Sequence, residues 1–192
     1  MLESNIYGGN TMKGLMILAN GFEDVEAIAV IDVLKRAGIH LRCVTLHNRD
    51  IVTTSSNNKL VIEKSLKDVD YKNYDFLILP GGKAVFNELN KSKVVDEIVK
   101  HFCDHNKLVC AICAAPLLIG KHGYFKDLMY TCFPGCNESI IDGILSDRPL
   151  VRINNFITAK SMYYACDFAL EIVSAIKGNE VAIEIAKQIK GL

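Results

Sequence analysis

Residues 108–120 read LVCAICAAPLLIG, two apolar runs joined by a short turn that carries Cys113. The first run is typical of a strand buried on both faces, and the second is compatible with a helix. A cysteine at such a strand-to-helix turn projects its sulfur from the edge of the sheet, where the N–H groups that open the helix favour its thiolate. The stretch therefore predicts an α/β fold with a nucleophilic cysteine at a strand end.

Strands alternate with helices along most of the chain. The predicted strands are residues 14–20, 40–46, 60–62, 76–79, 108–112, 150–153 and 156–158; the predicted helices are residues 23–37, 93–106, a short one ending near 121–123, 165–176 and 180–190. This alternation is typical of a mostly parallel, doubly wound sheet with helices on both faces. We expect a single domain over residues 13–192, preceded by a polar, flexible leader over residues 1–12.

Composition narrows the function classes. The 192 residues include 22 Lys and Arg and 22 Asp and Glu side chains, so the formal net charge is zero and no nucleic-acid or membrane-surface partner is indicated. No apolar run reaches the roughly 18 residues of a membrane span. Seven cysteines without a secretion signal predict free thiols in a reducing, cytoplasmic compartment.

A second strand end carries carboxylates. Residues 21–26 read GFEDVE and follow the first predicted strand. Glu23 and Asp24 are explained equally well by the positive end of the helix dipole. Glu26 lies one turn inside the helix, where burial would raise its pKa and allow it to donate to a sulfur or relay a proton.

A third strand end carries two glycines, Gly81 and Gly82, after the buried strand at residues 76–79. Paired glycines most often form a simple turn. At the carboxyl end of a strand, Gly82 could also direct its N–H, together with that of Ala114, at a developing oxyanion. In parallel sheets such strand ends meet at one edge, where ligands bind. The three segments are therefore expected to converge on one site.

These three motifs, GFEDVE, LPGG and AICAAP in that order, resemble those of the ThiJ/PfpI superfamily, and within it the small branch of parkinsonism-associated redox proteins, from about Met12 to the end. The resemblance implies a flavodoxin-like sandwich that forms a homodimer. It also implies that Cys113 is the oxidation-prone nucleophile, that Glu26 is its protonated partner, and that Gly82 and Ala114 supply backbone N–H groups.

The activities implied by the resemblance need no cofactor and no metal. They are glyoxalase-type conversion of methylglyoxal to lactate and deglycation of early adducts, so the expected partner is a small reactive aldehyde or a glycated adduct. Members of the superfamily are also described as oxidative-stress sensors and chaperones, and some carry a thiazole-monophosphate biosynthesis label. The same residues therefore support a second hypothesis, a sensor that works by oxidation of Cys113 with little turnover.

The chain departs from the superfamily's pattern near the site. Ala114 stands where the protease-like branch has a histidine, which argues against a Cys-His peptidase. Phe133 stands where many relatives keep a pocket histidine, and it cannot transfer a proton. Together with Gly81 and Glu23, the Cys132–Phe133 segment is expected to border the site.

Four of the cysteines allow competing interpretations. Cys110, Cys113, Cys132 and Cys136 superficially match a zinc pattern, which we disfavour because Cys110 belongs to a buried strand and Cys113 lies beyond its end. A more serious alternative makes Cys132 a resolving thiol. A sulfenate at Cys113 would then collapse to a disulfide instead of advancing to sulfinate.

Overall fold

A computed structural model describes residues 12–47 and 50–192. The predicted leader, residues 1–12, lies outside the described residues except for Met12. The strands are β1 (Lys13–Leu18), β2 (His40–Thr45), β3 (Ile51–Thr53), β4 (Lys59–Val61), β5 (Phe76–Leu79), β6 (Leu108–Ile112), β7 (Met129–Tyr130), β8 (Ile144–Leu145), β9 (Leu150–Ile153) and β10 (Phe156–Ala159). The helices are α1 (Asp24–Arg36), α2 (Ala84–Asn87), α3 (Lys93–Asp104), α4 (Leu117–Gly120), α5 (Ala165–Lys177) and α6 (Asn179–Lys190).

Six strands form the central sheet, in the order β2-β1-β5-β6-β10-β9. All neighbours are parallel except β9, which pairs antiparallel with β10. The chain winds from β1 outward to β2 and then returns to the other side of β1 with β5 and β6. The order therefore reverses between β1 and β5, and such a reversal opens a crevice at the carboxyl ends of the two strands.

Helices cover both faces of the sheet. Right-handed crossovers require the helix between β1 and β2 and the helix between β5 and β6 to lie on opposite faces, because the two connections run in opposite directions across the sheet. Accordingly α1 packs against α5, whereas α3 packs against β5, β6 and α4. The predicted doubly wound, mostly parallel α/β sandwich is confirmed.

The central strands are apolar because both of their faces are buried. All four side chains of β5, from Phe76 to Leu79, are fully inaccessible to solvent, as are residues 109–112 of β6. Removing the Phe76 ring would cost about 3–5 kcal/mol at such a site. This packing fixes the ends of β5 and β6, and therefore the residues that follow them.

The structure differs from the sequence-based expectations mainly in short elements. The β3–β4 hairpin pairs Ile51 with Val61, but only its second strand was predicted. Helix α2 was not predicted, because four residues carry too little periodicity. Helix α4 ends at Gly120 and not near residues 121–123. Within residues 12–47 and 50–192, no helix is long and apolar enough to cross a membrane.

Candidate active site

Cys113 lies on a strained turn directly after β6. Its φ of +64° lies in the left-handed region, which is uncommon for a residue with a side chain. Two backbone hydrogen bonds hold it there: its N–H donates to the Ala159 carbonyl at 2.9 Å, and its carbonyl accepts from the Phe133 N–H at 2.8 Å. The buried Ala114 and Ala115 then let the chain turn closely into α4. The sulfur is thereby presented at the crevice edge of the sheet.

Glu26 places a buried carboxyl beside this cysteine. The side chain lies on the inner face of α1 and is 1% exposed. Its Oε2 accepts a 2.7 Å hydrogen bond from the Gly81 N–H. Oε1 accepts no hydrogen bond from an N–H or O–H group among the described residues. The Cys113 thiol hydrogen-bonds to the same carboxyl and lowers its pKa.

Gly81 is the point at which the three predicted segments meet. Its N–H binds the Glu26 carboxyl, and its carbonyl accepts from the Glu23 N–H at 3.2 Å. A Cβ at this position would lie 2.6 Å from the Cys113 Cβ and 2.8 Å from Glu26 Oε2. Glycine is therefore required for the close approach of the cysteine and the carboxylate.

Gly82 lies in the turn after β5, where it contacts the segment that precedes α1. Its φ is +89°, and it forms an antiparallel bridge with Phe22. A Cβ there would lie 2.5 Å from the Gly21 carbonyl oxygen, so only glycine fits. The backbone N–H groups of Gly82 and Ala114 both act on the Cys113 sulfur and lower its pKa. These are the two donors that the sequence assigns to an oxyanion.

The ionisation of the two site groups is opposed by burial. Burial raises the pKa of Glu26 to about 7, against the Gly81 hydrogen bond, which lowers it. Burial also raises the pKa of Cys113, and the negative charge of Glu26 raises it further. The amide N–H groups favour the Cys113 thiolate in the direction that the sequence predicts, but burial and the Glu26 carboxylate raise the pKa of the thiol by more. A thiolate is compatible with this site when Glu26 carries a proton.

The other two carboxylates of the GFEDVE motif serve the turn around the site. Asp24 accepts from the Asn58 side chain at 2.8 Å and from the Ser56 N–H at 3.3 Å, so it holds the β3–β4 hairpin against α1. Its pKa falls to about 2, because these hydrogen bonds outweigh its partial desolvation. Glu23 precedes α1, and its negative charge adds to the rise in the pKa of Glu26.

Comparison with known proteins identifies the family. The DJ-1/PfpI family model matches residues 12–175. The chain belongs to the DJ-1/PfpI family. The protein dj-1beta of Drosophila melanogaster is 32% identical over 177 residues, which are 91% of this chain and 95% of the relative. The Parkinson disease protein 7 homolog of Danio rerio is 31% identical over 177 residues, 90% of this chain and 94% of the relative.

Solved structures of DJ-1/PfpI proteins share the fold. Drosophila melanogaster DJ-1beta superimposes with a TM-score of 0.84 at 30% identity, over 94% of this chain and 98% of the other. The oxidised DJ-1 of Toxoplasma gondii has a TM-score of 0.85 at 25% identity, over 93% and 97%. The predicted resemblance and the flavodoxin-like architecture are both confirmed.

The segment that borders Cys113 contains Cys132, which the sequence suggests as a resolving thiol. The Phe133 N–H donates a hydrogen bond to the Cys113 carbonyl, and the Phe133 side chain is 46% exposed. Cys132, the preceding residue, is 2% exposed; burial and Cys136 raise the pKa of its thiol, and Lys160 lowers it. No sequence motif groups Cys136 and Lys160 with the site. They come to it through the pairing of β10 with β6 and through the turn at residues 133–136.

No metal centre is formed by the described residues. Within residues 12–47 and 50–192, no group of three or more His, Cys, Asp or Glu side chains could hold a metal ion. All seven cysteines are free. Cys110 is fully buried in β6, so it cannot join Cys113 in a shared ligand set at the strand end.

Proposed function

We propose that this chain is a cofactor-independent, cysteine-dependent enzyme that converts α-oxoaldehydes such as methylglyoxal to hydroxy acids. The observation that carries the proposal is the convergence of three groups on one sulfur. Cys113 sits on a strained turn, two backbone N–H groups act on its sulfur, and the buried Glu26 carboxyl faces it. A nucleophile, an anion-stabilising pair of donors and a proton carrier are the parts that carbonyl chemistry requires.

The first step is addition. The Cys113 thiolate forms a C–S bond to the aldehyde carbon, and the π electrons of the carbonyl move to its oxygen. The Gly82 and Ala114 N–H groups would stabilise this oxyanion. Because Glu26 titrates at about pH 7, it can hold the thiol's proton while the sulfur is ionised and then deliver it to the oxygen, giving a neutral hemithioacetal.

The second step is an internal oxidation and reduction. The Glu26 carboxylate removes the hydrogen of the former aldehyde carbon as a proton, the electron pair forms a C=C bond to the neighbouring carbon, and the π electrons of the ketone move to its oxygen, giving an enediolate. Glu26 returns the proton to the neighbouring carbon while the hydroxyl proton of the first carbon moves to the ketone oxygen, and a lactoyl thioester is left at Cys113. Water then adds to the thioester, the C–S bond breaks, and lactate and the Cys113 thiol are released. Methylglyoxal and one water are consumed, and no external electron acceptor is needed.

The test is lactate formation from methylglyoxal by the purified chain, with no glutathione present. We expect turnover by the wild type, none by Cys113→Ala, and a large loss in Glu26→Gln with the fold retained. Cys166→Ser is a matched control, because Cys166 is an exposed cysteine on α5. Activity of Cys113→Ala equal to that of the wild type would end the enzymatic proposal.

A second candidate function is a sensor of oxidants. It is favoured by Phe133, which replaces a proton-transferring histidine, and by Glu26, which near neutral pH can donate a hydrogen bond to an oxidised sulfur. One similar structure is that of an oxidised DJ-1, from Toxoplasma gondii. In this case peroxide would oxidise Cys113 to sulfinate, and methylglyoxal turnover would be low.

A peroxide titration separates the two candidates. A sensor oxidises at Cys113 in preference to the other six cysteines, and its thermal stability or partner binding changes with that oxidation. Mass spectrometry after substoichiometric peroxide measures the selectivity. A chain that forms lactate and oxidises without preference for Cys113 would be an enzyme and not a sensor. A glycated-adduct substrate is tested in the same assay with an early methylglyoxal adduct of a cysteine peptide.

We also propose that the chain is a homodimer. Val25 and Ile28 flank Glu26 on α1 and are 41% and 44% exposed. The cross-strand pair Ile51 and Val61 of the neighbouring hairpin is also exposed, at 52% and 71%. These exposed apolar side chains lie on the helix that carries Glu26 and on the hairpin that Asp24 binds, and a second copy would cover them. Sedimentation of wild type and Ile28→Glu tests this: the variant should sediment as a monomer.

A further inference from the structure

Two cysteines that the proposed reaction does not use lie beside the Cys113 turn. Cys132 is 2% exposed and Cys136 is half-buried, and both are free thiols. They bracket the sequence Phe133-Pro134-Gly135. The Cys136 N–H donates to the Phe133 carbonyl at 3.0 Å, and Gly135 has a φ of +81°. Proline second and a left-handed glycine third are typical of a type II turn.

This turn places the two cysteines at the two ends of one chain reversal. The first and last residues of a β-turn have Cα atoms less than about 7 Å apart, and Cys132 immediately precedes the first. A disulfide needs Cα atoms within about 4.4–6.8 Å. Burial and the neighbouring Cys136 raise the pKa of Cys132 to about 11, and Lys160 lowers it in part. Two free thiols at the ends of one chain reversal are the arrangement that a short-range disulfide requires.

The surrounding structure holds the turn in place. Before it, the Thr131 N–H donates to Thr158 Oγ1 at 3.0 Å. After it, the Ile141 N–H donates to the Gly120 carbonyl at 3.0 Å. In the turn itself, the Phe133 N–H donates to the Cys113 carbonyl at 2.8 Å. A change within the turn is therefore transmitted to the backbone of Cys113.

We propose that Cys132 and Cys136 form a reversible disulfide across this turn, and that the disulfide controls the reactivity of Cys113. The oxidant is a small-molecule disulfide, such as oxidised glutathione. The Cys136 thiolate, which solvent reaches, attacks one sulfur of the oxidant and expels the other half as a thiolate. The Cys132 thiolate then attacks the Cys136 sulfur and expels the second half. Two protein thiols are oxidised and one small disulfide is reduced to two thiols.

The disulfide would alter Cys113 through Phe133. Closing it draws the residue before Phe133 toward the end of the turn and tilts the Phe133 amide away from the Cys113 carbonyl. Cys113 then loses one of the two backbone hydrogen bonds that hold its left-handed conformation. The amides that act on its sulfur no longer converge, so thiolate formation is less favourable. Loss of one such hydrogen bond corresponds to a roughly fivefold lower rate of Cys113 alkylation.

The experiment maps the thiols of the full chain after incubation with oxidised glutathione. Free thiols are blocked with maleimide and the protein is digested with trypsin. Residues 127–152 form one peptide that contains Cys132 and Cys136 and no other cysteine, whereas Cys113 falls on residues 108–121. We expect the first peptide to lose two hydrogens and take up no maleimide. Uptake of maleimide at both cysteines, or a link from Cys132 to Cys113, would overturn the proposal.

The control over Cys113 is measured separately, as its rate of alkylation by iodoacetamide. We expect a roughly fivefold decrease in the oxidised wild type and no decrease in Cys136→Ser treated in the same way. Cys166→Ser is the matched control and should respond like the wild type. In Cys113→Ser the 132–136 disulfide should still form, because its formation does not pass through Cys113. An equal alkylation rate in the oxidised and reduced wild type would refute the control.

Discussion

The Glu26→Gln variant tests whether the buried carboxyl of α1 holds its proton at neutral pH. Glutamine keeps the size of the side chain, and its carbonyl can accept the 2.7 Å hydrogen bond from the Gly81 N–H. Its amide group would occupy the place of Oε1, which accepts no N–H or O–H hydrogen bond among the described residues. The variant therefore resembles the protonated wild type at every pH.

The magnitude follows from the pKa of Glu26. Burial raises it from 4.5 to about 7. Between these values the folded chain keeps a proton that the unfolded chain has released. Because the unfolded state binds fewer protons, the free energy of unfolding falls as the pH rises through this window and is level above it. The full window corresponds to about 3 kcal/mol, none of which is lost by the glutamine variant.

Urea unfolding of both proteins near pH 5 and near pH 8 measures the effect. Relative to Glu26→Gln, the wild type should lose about 2 to 3 kcal/mol between these two conditions. Glu97→Gln removes an exposed carboxyl from α3 and serves as a control for the loss of one charge. A difference between wild type and Glu26→Gln that stays constant with pH would refute the assignment of a protonated carboxyl to this site.

Three further predictions concern the surroundings of the site. Gly81→Ala places a methyl group 2.6 Å from the Cys113 Cβ, so we expect urea unfolding to show a loss of about 1–3 kcal/mol and the lactate assay a loss of turnover. Phe133→His supplies a proton-transferring side chain, and we expect a higher kcat with methylglyoxal; an unchanged kcat would contradict the role given to position 133. Asp24→Ala removes the carboxylate that binds the Ser56 N–H, and hydrogen exchange should become faster at that amide.

The fold was predictable where the sequence carries buried periodic runs. Strands β5 and β6 are inaccessible on both faces, and uninterrupted apolar runs such as residues 76–79 are the direct consequence. The apolar residues of α5, spaced three and four positions apart, likewise reflect the one face of this helix that is buried. Strand β3 and helix α2 were missed because three or four residues do not establish a period. The hairpin is set by long-range bonds, such as that from Thr53 to the Asn20 side chain.

The position of the site and the direction of the Glu26 pKa shift were predictable, but the rise in the pKa of Cys113 was not. Strand ends in a parallel sheet converge, so the meeting of Cys113, Glu26 and Gly81 follows from topology. The ionisation of Cys113 depends on the balance between burial, the carboxylate and the amides, which the sequence does not contain. Glu26 and Cys113 each lose solvent, and the carboxylate opposes ionisation of the thiol more than two amides can favour it. A reactive sulfur at this site therefore depends on a protonated Glu26, and the carboxyl controls the nucleophile as well as carrying its proton.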